Sequence, residues 1–405
     1  MNRLPVLVVM SLAHFLVMVD ATIVNVALPS IRSGLGFTAT GLPWVVNSYS
    51  FAFGGCLLLG GLVAGRLGPK RVFVGGMAVF GTGSVVCGLA PATEVLVAGR
   101  MLQGVGGALV CPAALAAITV TFDSPGERAR ALAGWSAAGA GALAVGPLVG
   151  GALTATWSWP AVFLVPVPLC AGAAVAAWRW LPDRLPDRRT GRRERGFGPA
   201  FPYRRVLTAN LVLALGSAAM VAACYTCTLW LQTVLGYGPM ATGLAFLPLS
   251  LGILLGAALA PRLMRRVAAT AVAVAGLAVA TLGMVLLACL PMAVTPAQLL
   301  PALTVLAVGF GLQSVPVCAL ATTVPGDRAL AAAVYQTAGQ LGGGLGLVGL
   351  GWLAGRVSDV DSVGLAWRSW ALAGGAVALA AGVAAVLVSR AHSAHGASVV
   401  SQTRE

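Results

Sequence analysis

Long apolar stretches separated by short polar segments repeat along this chain of 405 residues. Each stretch holds about 20 residues, which as a helix is long enough to cross the roughly 30 Å hydrocarbon core of a bilayer. The first stretch lacks a small-residue cleavage site, so we interpret it as a helix and not as a removed signal. The pattern predicts twelve spans, at 6–28, 43–64, 72–90, 95–119, 131–153, 160–178, 206–231, 241–261, 267–290, 297–322, 330–354 and 368–389.

Composition agrees with this pattern. The chain is 59% hydrophobic and only 9% charged, with a mean hydropathy of +0.92. No soluble domain of this size has such a composition. We therefore predict an all-α polytopic membrane protein. Eight cysteines all fall in predicted helices, where we expect each to be a small buried side chain.

The basic residues predict the orientation of the chain. With the N-terminus inside, 21 of the 25 Lys and Arg residues lie on the cytoplasmic side, while Arg32, Arg356 and Arg368 lie outside and Arg100 lies within a span. Cytoplasmic loops carry such an excess, so both termini are expected in the cytoplasm. The net charge of +14 is mostly this bias, and nucleic-acid binding is disfavoured. Nearly all basic residues are arginine, which is typical of a GC-rich bacterial genome, and we expect the bacterial cytoplasmic membrane.

An arginine-rich segment without an apolar run divides six predicted spans from six others. Its composition is that of a flexible linker. The division predicts four parts: an N-terminal six-helix bundle at 1–178, a cytoplasmic linker at 179–205, a C-terminal six-helix bundle at 206–389 and a cytoplasmic tail at 390–405.

Two local repeats support this division. The sequence at 61–72, after span 2, is similar to that at 256–267, after span 8. The sequence at 125–129, after span 4, is similar to that at 325–329, after span 10. Each repeated pair falls on the same predicted side of the membrane. Parallel halves of this kind are typical of transporters with a substrate site near the membrane midplane.

An acidic residue inside the first span is the strongest functional signal. Asp20 lies about 12 Å from the outer end of that helix at 1.5 Å per residue. A carboxylate in hydrocarbon costs from roughly 2.5 kcal/mol upwards, so such a residue is a functional-site hypothesis by default. Burial favours the neutral form, which brings the group toward reversible proton exchange. A polar contact between helices is the alternative interpretation.

Four motifs, in order along the chain, resemble those of the drug:proton antiporter branch of the major facilitator superfamily, whose typical members have fourteen spans. The motifs are Asp20-x-Thr-Ile-Val-Asn-Val-Ala-Leu-Pro29 in span 1, Gly61 to Arg71 after span 2, Arg100-x-x-Gln103-Gly-x-Gly106 in span 4, and Gly146-Pro147-x-x-Gly150-Gly151 in span 5. The resemblance covers nearly the whole chain and implies the major facilitator fold, here with about twelve spans in two pseudo-symmetric six-helix bundles.

The resemblance implies that spans 1 and 4 line the central cavity, and we predict that Asp20 and Arg100 couple transport to protons. Arg100 lies about 8 Å inside the outer end of span 4, at a depth similar to that of Asp20. Either the two side chains pair directly or Arg100 tunes Asp20 electrostatically. A structural arginine that bonds to neighbouring carbonyls is the alternative.

The resemblance also implies a set of gating and packing residues. A solvated loop or simple tight packing remains an alternative for each of them. Gly65 stands where the family usually has an aspartate, and Pro69 where it has a basic residue, which puts a cytoplasmic charge network in doubt. The set is Gly61, Arg66, Gly68, Lys70, Arg71, Gly146, Pro147, Gly150 and Gly151.

Polar and aromatic residues within the spans are candidates for contacts with the substrate. Apolar walls with a few polar groups suit an amphipathic organic molecule. Each side chain could equally form an interhelical hydrogen bond. The candidates are Asn25, Trp44, Asn47, Tyr49, Gln103, Asn210, Tyr225, Trp230, Gln232, Gln313, Tyr335 and Gln336.

Three classes of function remain for comparison. Proton-coupled export of a drug or natural product is favoured, because the span 5 motif marks antiporters in the family. Proton-coupled uptake of a nutrient shares the fold. A receptor or membrane enzyme would need a soluble domain or a catalytic constellation, and neither is found in the sequence. We expect no cofactor and no metal, a monomer, and small-molecule substrate, protons and lipid as partners.

Overall fold

The computed structural model describes residues 3–122, 124–181, 203–290, 296–322 and 328–354. Within these ranges the regular structure is helical and contains no strand. A π-helical turn, Trp230–Val234, follows α8. The α-helices are α1 Arg3–Leu35, α2 Trp44–Leu67, α3 Pro69–Gly88, α4 Thr93–Thr121, α5 Pro125–Trp157, α6 Ala161–Leu164, α7 Pro166–Trp180, α8 Tyr203–Leu229, α9 Pro239–Ala245, α10 Leu247–Met264, α11 Ala269–Ala288, α12 Pro296–Thr322 and α13 Arg328–Ala354.

Ten helical segments among the described residues are long and apolar enough to cross a membrane. They coincide with the first ten predicted spans, which are therefore confirmed. Helix α13 covers the predicted eleventh span, and the twelfth, at 368–389, lies outside the described residues. Helices suit this environment because every backbone N–H and C=O group is satisfied within the segment.

Two of the spans are interrupted. The sixth consists of α6 and α7, which meet at Val165 and Pro166. The eighth consists of α9 and α10, which meet at Phe246. Proline at 166 begins α7, where its missing N–H removes no helical hydrogen bond. The seventh span ends instead in the π-helical turn, a feature that often occurs at functional positions.

The chain forms two compact units. The first contains α1 to α7 and the segment Val221–Leu247, which includes the end of α8, the π-helical turn and α9. The second contains the start of α8, up to Met220, and the segment Pro248–Gly346, which holds α10 from Pro248, α11, α12 and α13 up to Gly346. The end of α13, from Leu347, belongs to the first unit. Most of the predicted linker lies outside the described residues, so the boundaries at 178, 205 and 389 stay predictions.

Equivalent glycines pack the third span on the fourth and the ninth on the tenth. A Cβ on Gly76 of α3 would lie 3.1 Å from the carbonyl oxygen of Gly106 in α4. A Cβ on Gly276 of α11 would lie 2.9 Å from that of Gly309 in α12. Small residues allow such close approach between membrane helices. The same contact recurs about 200 residues later, as two pseudo-symmetric halves require.

One expectation about the cysteines is wrong. Cys289 follows the last residue of α11 and is exposed. The predicted span 267–290 extends beyond that helix, because apolar residues continue past its C-terminus. Cys56, Cys224 and Cys318 are half-buried, and the other four are buried as expected.

Candidate functional site

Two oppositely charged side chains meet between α1 and α4 in the first unit. Arg100 Nη1 donates a hydrogen bond to Asp20 Oδ2 at 2.6 Å, and neither side chain has any exposed surface. Of the two arrangements that the sequence left open, the structure has the direct contact. A pair so far removed from water requires good geometry and further hydrogen bonds to offset its desolvation.

Gln103 supplies these further bonds. Its Oε1 accepts from Arg100 Nη1 at 2.9 Å, and its Nε2 donates to Asp20 Oδ1 at 2.9 Å. The same Nε2 donates to Ser84 Oγ of α3 at 2.8 Å. Gln103 and Ser84 are also fully buried. Asp20, Ser84, Arg100 and Gln103 form a buried polar cluster that joins α1, α3 and α4.

Aromatic and backbone groups complete the environment of Arg100. Its Nε donates to the carbonyl oxygen of Val45 in α2 at 3.0 Å. Its Cζ lies 4.4 Å from the ring centroid of Tyr49 and 5.8 Å from that of Phe163. Nη2 is buried and has no hydrogen-bond partner within the described part of the chain. The ring faces carry partial negative charge and stabilise the guanidinium where no oxygen does.

The glycine–proline motif of α5 packs against α1 and α9. Gly146 lies against the side chain of Thr22, and a Cβ on Gly150 would lie 2.5 Å from the carbonyl oxygen of Ile23. A Cβ on Gly151 would lie 2.6 Å from the carbonyl oxygen of Pro239. Only a hydrogen atom fits at these positions.

Pro147 belongs to the same contact. A Cβ on Gly243 of α9 would lie 2.5 Å from the Pro147 carbonyl oxygen. Glycines therefore lie on both sides of the tight crossing between α5 and α9 within the first unit. Its role in gating stays a prediction.

The loop between α2 and α3 contains one residue whose backbone requires glycine. Gly68 has φ 90°, a conformation that other residues rarely adopt, and its N–H bonds to the Ala64 carbonyl oxygen. Lys70 lies over the ring of Trp178, 5.1 Å from Nζ to the centroid. Gly61, Arg66 and Arg71 are exposed. Gly65, which replaces the usual aspartate, has no heavy atom within 4 Å of the position of a Cβ.

The substrate candidates are distributed over both units. Asn47, Tyr49, Gln103, Asn210, Tyr225, Trp230 and Gln313 are buried, Asn25, Gln232 and Tyr335 are half-buried, and Trp44 and Gln336 are exposed. Four of these candidates have a buried amide oxygen with no hydrogen-bond partner among the described residues: Asn25, Asn47, Asn210 and Gln313. Gln313 lines a small apolar cavity of the second unit, together with Met220, Leu277 and Phe310. Substrate contact stays a prediction for each candidate.

Sequence reasoning missed Ser84 and Cys87 on α3. The Cys87 thiol lies 3.4 Å from Gln103 Oε1 and 3.7 Å from the Leu96 carbonyl oxygen. A serine in an otherwise apolar span was a signal, but its partner lies on another helix. An ion pair between Arg3 and Glu127, 2.7 Å from Nη1 to Oε2, was also missed.

Among the described residues, no group of three or more His, Cys, Asp or Glu side chains could hold a metal ion. The site itself holds one ionisable carboxylate, which is bonded to an arginine and to an amide. Its role in proton coupling stays a prediction.

A model of the Major Facilitator Superfamily matches residues 10–347. The chain belongs to this superfamily. Membership confirms the predicted family, and it makes the protein a transporter with several membrane spans.

Two curated superfamily members are similar over most of their length. The puromycin resistance protein pur8 of Streptomyces alboniger is 34% identical over 84% of this chain and 80% of its own length. The cephamycin export protein CmcT of Amycolatopsis lactamdurans is 33% identical over 84% of this chain and 83% of its own length. The relatives of this transporter thus include antibiotic resistance and export proteins.

Solved structures of the superfamily share the fold. A bacterial homologue of the human lysosomal transporter Spinster, in an inward-facing and occupied conformation, superposes with a TM-score of 0.75 at 19% identity, covering 95% of this chain and 96% of that chain. At this identity the similarity concerns the fold alone, and it confirms the major facilitator architecture.

Proposed function

We propose that this protein exports an amphipathic small molecule, such as an antibiotic or an endogenous natural product, in exchange for protons. The observation that carries the proposal is the fully buried Asp20–Arg100 pair. Two charges within the membrane are costly to retain for structure alone, and intramembrane acids of transporters commonly carry protons. A proton driven by 100 mV supplies about 2.3 kcal/mol.

The relatives support export over uptake. The names of pur8 and CmcT describe resistance to puromycin and export of cephamycin. The glycine–proline contact between α5, α1 and α9 supports the antiporter interpretation. We further propose a monomer in the bacterial cytoplasmic membrane, with both termini in the cytoplasm.

Transport by inside-out membrane vesicles tests the proposal. Vesicles with an imposed pH gradient, acidic inside, are expected to accumulate puromycin or another antibiotic from a lipophilic panel without ATP. A protonophore should abolish the accumulation. Asp20→Asn should abolish it as well, whereas Glu94→Gln, at an exposed acid in the first turn of α4, should retain it.

The outcomes separate the alternatives. Accumulation that needs ATP and survives the protonophore excludes an antiporter, and proton-driven accumulation by right-side-out vesicles indicates uptake. Full pH-driven transport by Asp20→Asn excludes Asp20 as the proton site. Size-exclusion chromatography of each purified variant shows whether a loss of transport is a loss of folding.

A further inference from the structure

The orientation of the Gln103 amide depends on the charge state of Asp20. Arginine offers only donors and an ionised carboxylate only acceptors. The amide therefore has to direct Oε1 at Arg100 and Nε2 at Asp20, as it does at 2.9 Å in both cases. The donor and acceptor character of the two partners fixes this orientation while Asp20 is ionised.

A neutral Asp20 does not fit this orientation. Its side-chain partners in the cluster, Arg100 and Gln103 Nε2, are both donors, so a proton on the carboxyl group finds no acceptor among them. A buried O–H without an acceptor is costly. Rotation of the Gln103 amide by half a turn supplies the acceptor, because Oε1 then faces Asp20. The same rotation directs Nε2 at Arg100. Because both groups are then donors, the hydrogen bond between Gln103 and Arg100 is lost.

Ser84 can hold the amide in both orientations. A hydroxyl group is both donor and acceptor. Ser84 Oγ accepts from Gln103 Nε2 at 2.8 Å in the present orientation, and it can donate to Oε1 after the rotation. Gly83 beside it allows the approach, because a Cβ there would lie 2.7 Å from the Gln103 backbone nitrogen.

We propose that Gln103 is a positioning residue that reverses its side-chain amide when Asp20 takes up a proton, with Ser84 holding the amide on α3 throughout. Neutralisation removes the attraction between Asp20 and Arg100, and the reversal removes the second bond of Arg100 to the cluster. Proton uptake on α1 is thereby converted into release of Arg100 on α4. This proposal rests on the proposed role of Asp20 as the proton site.

Few titratable or charged groups surround Gln103. Tyr49 on α2 donates its hydroxyl to the Val17 carbonyl oxygen at 3.2 Å and does not contact the amide. The Cys87 thiol on α3 has two acceptors in reach, Gln103 Oε1 at 3.4 Å and the Leu96 carbonyl oxygen at 3.7 Å. After the reversal only the latter remains. The groups on the packed helices are Asp20 on α1, Tyr49 on α2, Cys87 on α3, Arg100 on α4 and Cys170 on α7.

Cys87 is therefore a native reporter of the amide. Infrared difference spectra of the full chain in lipid vesicles, titrated with pH and without substrate, contain two informative bands. The protonated carboxyl band is assigned by its loss in Asp20→Asn, and the S–H stretching band by its loss in Cys87→Ala. We expect the S–H band to shift with the same midpoint as the carboxyl band, and to become independent of pH in Asp20→Asn.

Substitutions of Ser84 test its part. Ser84→Ala is expected to uncouple the two bands, so that the carboxyl band titrates and the S–H shift is lost, and Ser84→Thr is expected to restore the shift. Thr82→Ala, at an exposed position of the same helix, should behave like the unchanged protein. Retention of the full S–H shift in Ser84→Ala overturns the role of Ser84.

The spectra and the transport measurements distinguish an error about the amide reversal from an error about the proton site. If the Asp20 carboxyl band titrates while the S–H band stays constant in the unchanged protein, the amide does not reverse and the inference is wrong, while Asp20 remains the proton site. If no Asp20 band titrates and Asp20→Asn keeps pH-driven transport, the proposed proton site itself is wrong, and the inference falls with it.

Discussion

The guanidinium of Arg100 lies over the ring of Tyr49, with 4.4 Å between its Cζ and the ring centroid. The Tyr49 hydroxyl meanwhile donates to the Val17 carbonyl oxygen. Tyr49 thus connects three helices, α1, α2 and α4, at the level of the buried polar cluster. Because no described residue offers Arg100 Nη2 a hydrogen bond, we expect the ring to contribute to the stabilisation of the guanidinium.

Two substitutions of Tyr49 separate the ring from the hydroxyl. Tyr49→Phe keeps the ring and loses one hydrogen bond, at a cost of about 1 kcal/mol. Tyr49→Leu also loses the cation–π contact, which is worth about 2 kcal/mol when desolvated. We expect the thermal unfolding midpoint of the purified protein to fall in the order Phe, then Leu. Equal midpoints would show that the ring contributes nothing to holding Arg100.

The ion pair predicts a non-additive effect on stability. Arg100→Leu leaves the Asp20 carboxylate buried without its counter-charge, and removal of one partner of a buried pair costs about 3–5 kcal/mol. Asp20→Asn together with Arg100→Leu removes both charges and should be more stable than Arg100→Leu alone. Thermal unfolding of the two single variants and the double variant measures the coupling.

The surface ion pair of Arg3 and Glu127 is the control for this comparison of single and double variants. Arg3 and Glu127 are 42% and 44% exposed, and exposed pairs contribute about 0–1 kcal/mol. Glu127→Gln should therefore change the unfolding midpoint little. If the stability changes of the two single variants add up to that of the double variant, the direct contact between Asp20 and Arg100 is contradicted.

The spans could be predicted because the bilayer imposes the same length and hydropathy on every helix that crosses it. Ten spans lie where the apolar stretches predict them, and Asp20 was identified because one acid stands out among apolar neighbours. Partners across helices could not be predicted in the same way. Ser84 looked like any small polar residue, since the sequence does not show which face of α3 meets α4.

Equivalent helix crossings of the two units carry different side chains. Gly83 packs on Gln103 in the first unit, and Gly283 packs in the same way on Leu306 in the second. The fold needs a small residue on one helix at this crossing and tolerates either side chain opposite it. Repetition therefore predicts the architecture, whereas the chemistry depends on single differences such as glutamine for leucine.

Substitution of two glycines of α5 by alanine is expected to have different effects on stability and transport. A Cβ on Gly150 would lie 2.5 Å from the Ile23 carbonyl oxygen, so α1 and α5 have to separate. A Cβ on Gly141 meets no heavy atom within 4 Å. Overpacking costs about 1–3 kcal/mol, and Gly150→Ala should lose stability and transport, while Gly141→Ala should retain both. Equal behaviour of the two variants in unfolding and vesicle transport would argue against a tight α1–α5 contact.

Gln232 is a candidate for two roles, which are contact with the substrate and an interhelical hydrogen bond. Its Nε2 donates to the Val26 carbonyl oxygen of α1 at 2.8 Å, from the π-helical turn after α8. Interhelical hydrogen bonds in membranes are worth about 0.6 kcal/mol on average. If the Gln232 side chain only joins the two helices, its loss affects the protein itself and is independent of the substrate. Gln232→Leu should therefore reduce transport of every antibiotic in a panel by a similar factor, as measured by initial rates in vesicles. Selective loss for some compounds, with others unchanged, would instead indicate that the amide leaves Val26 to bind substrate.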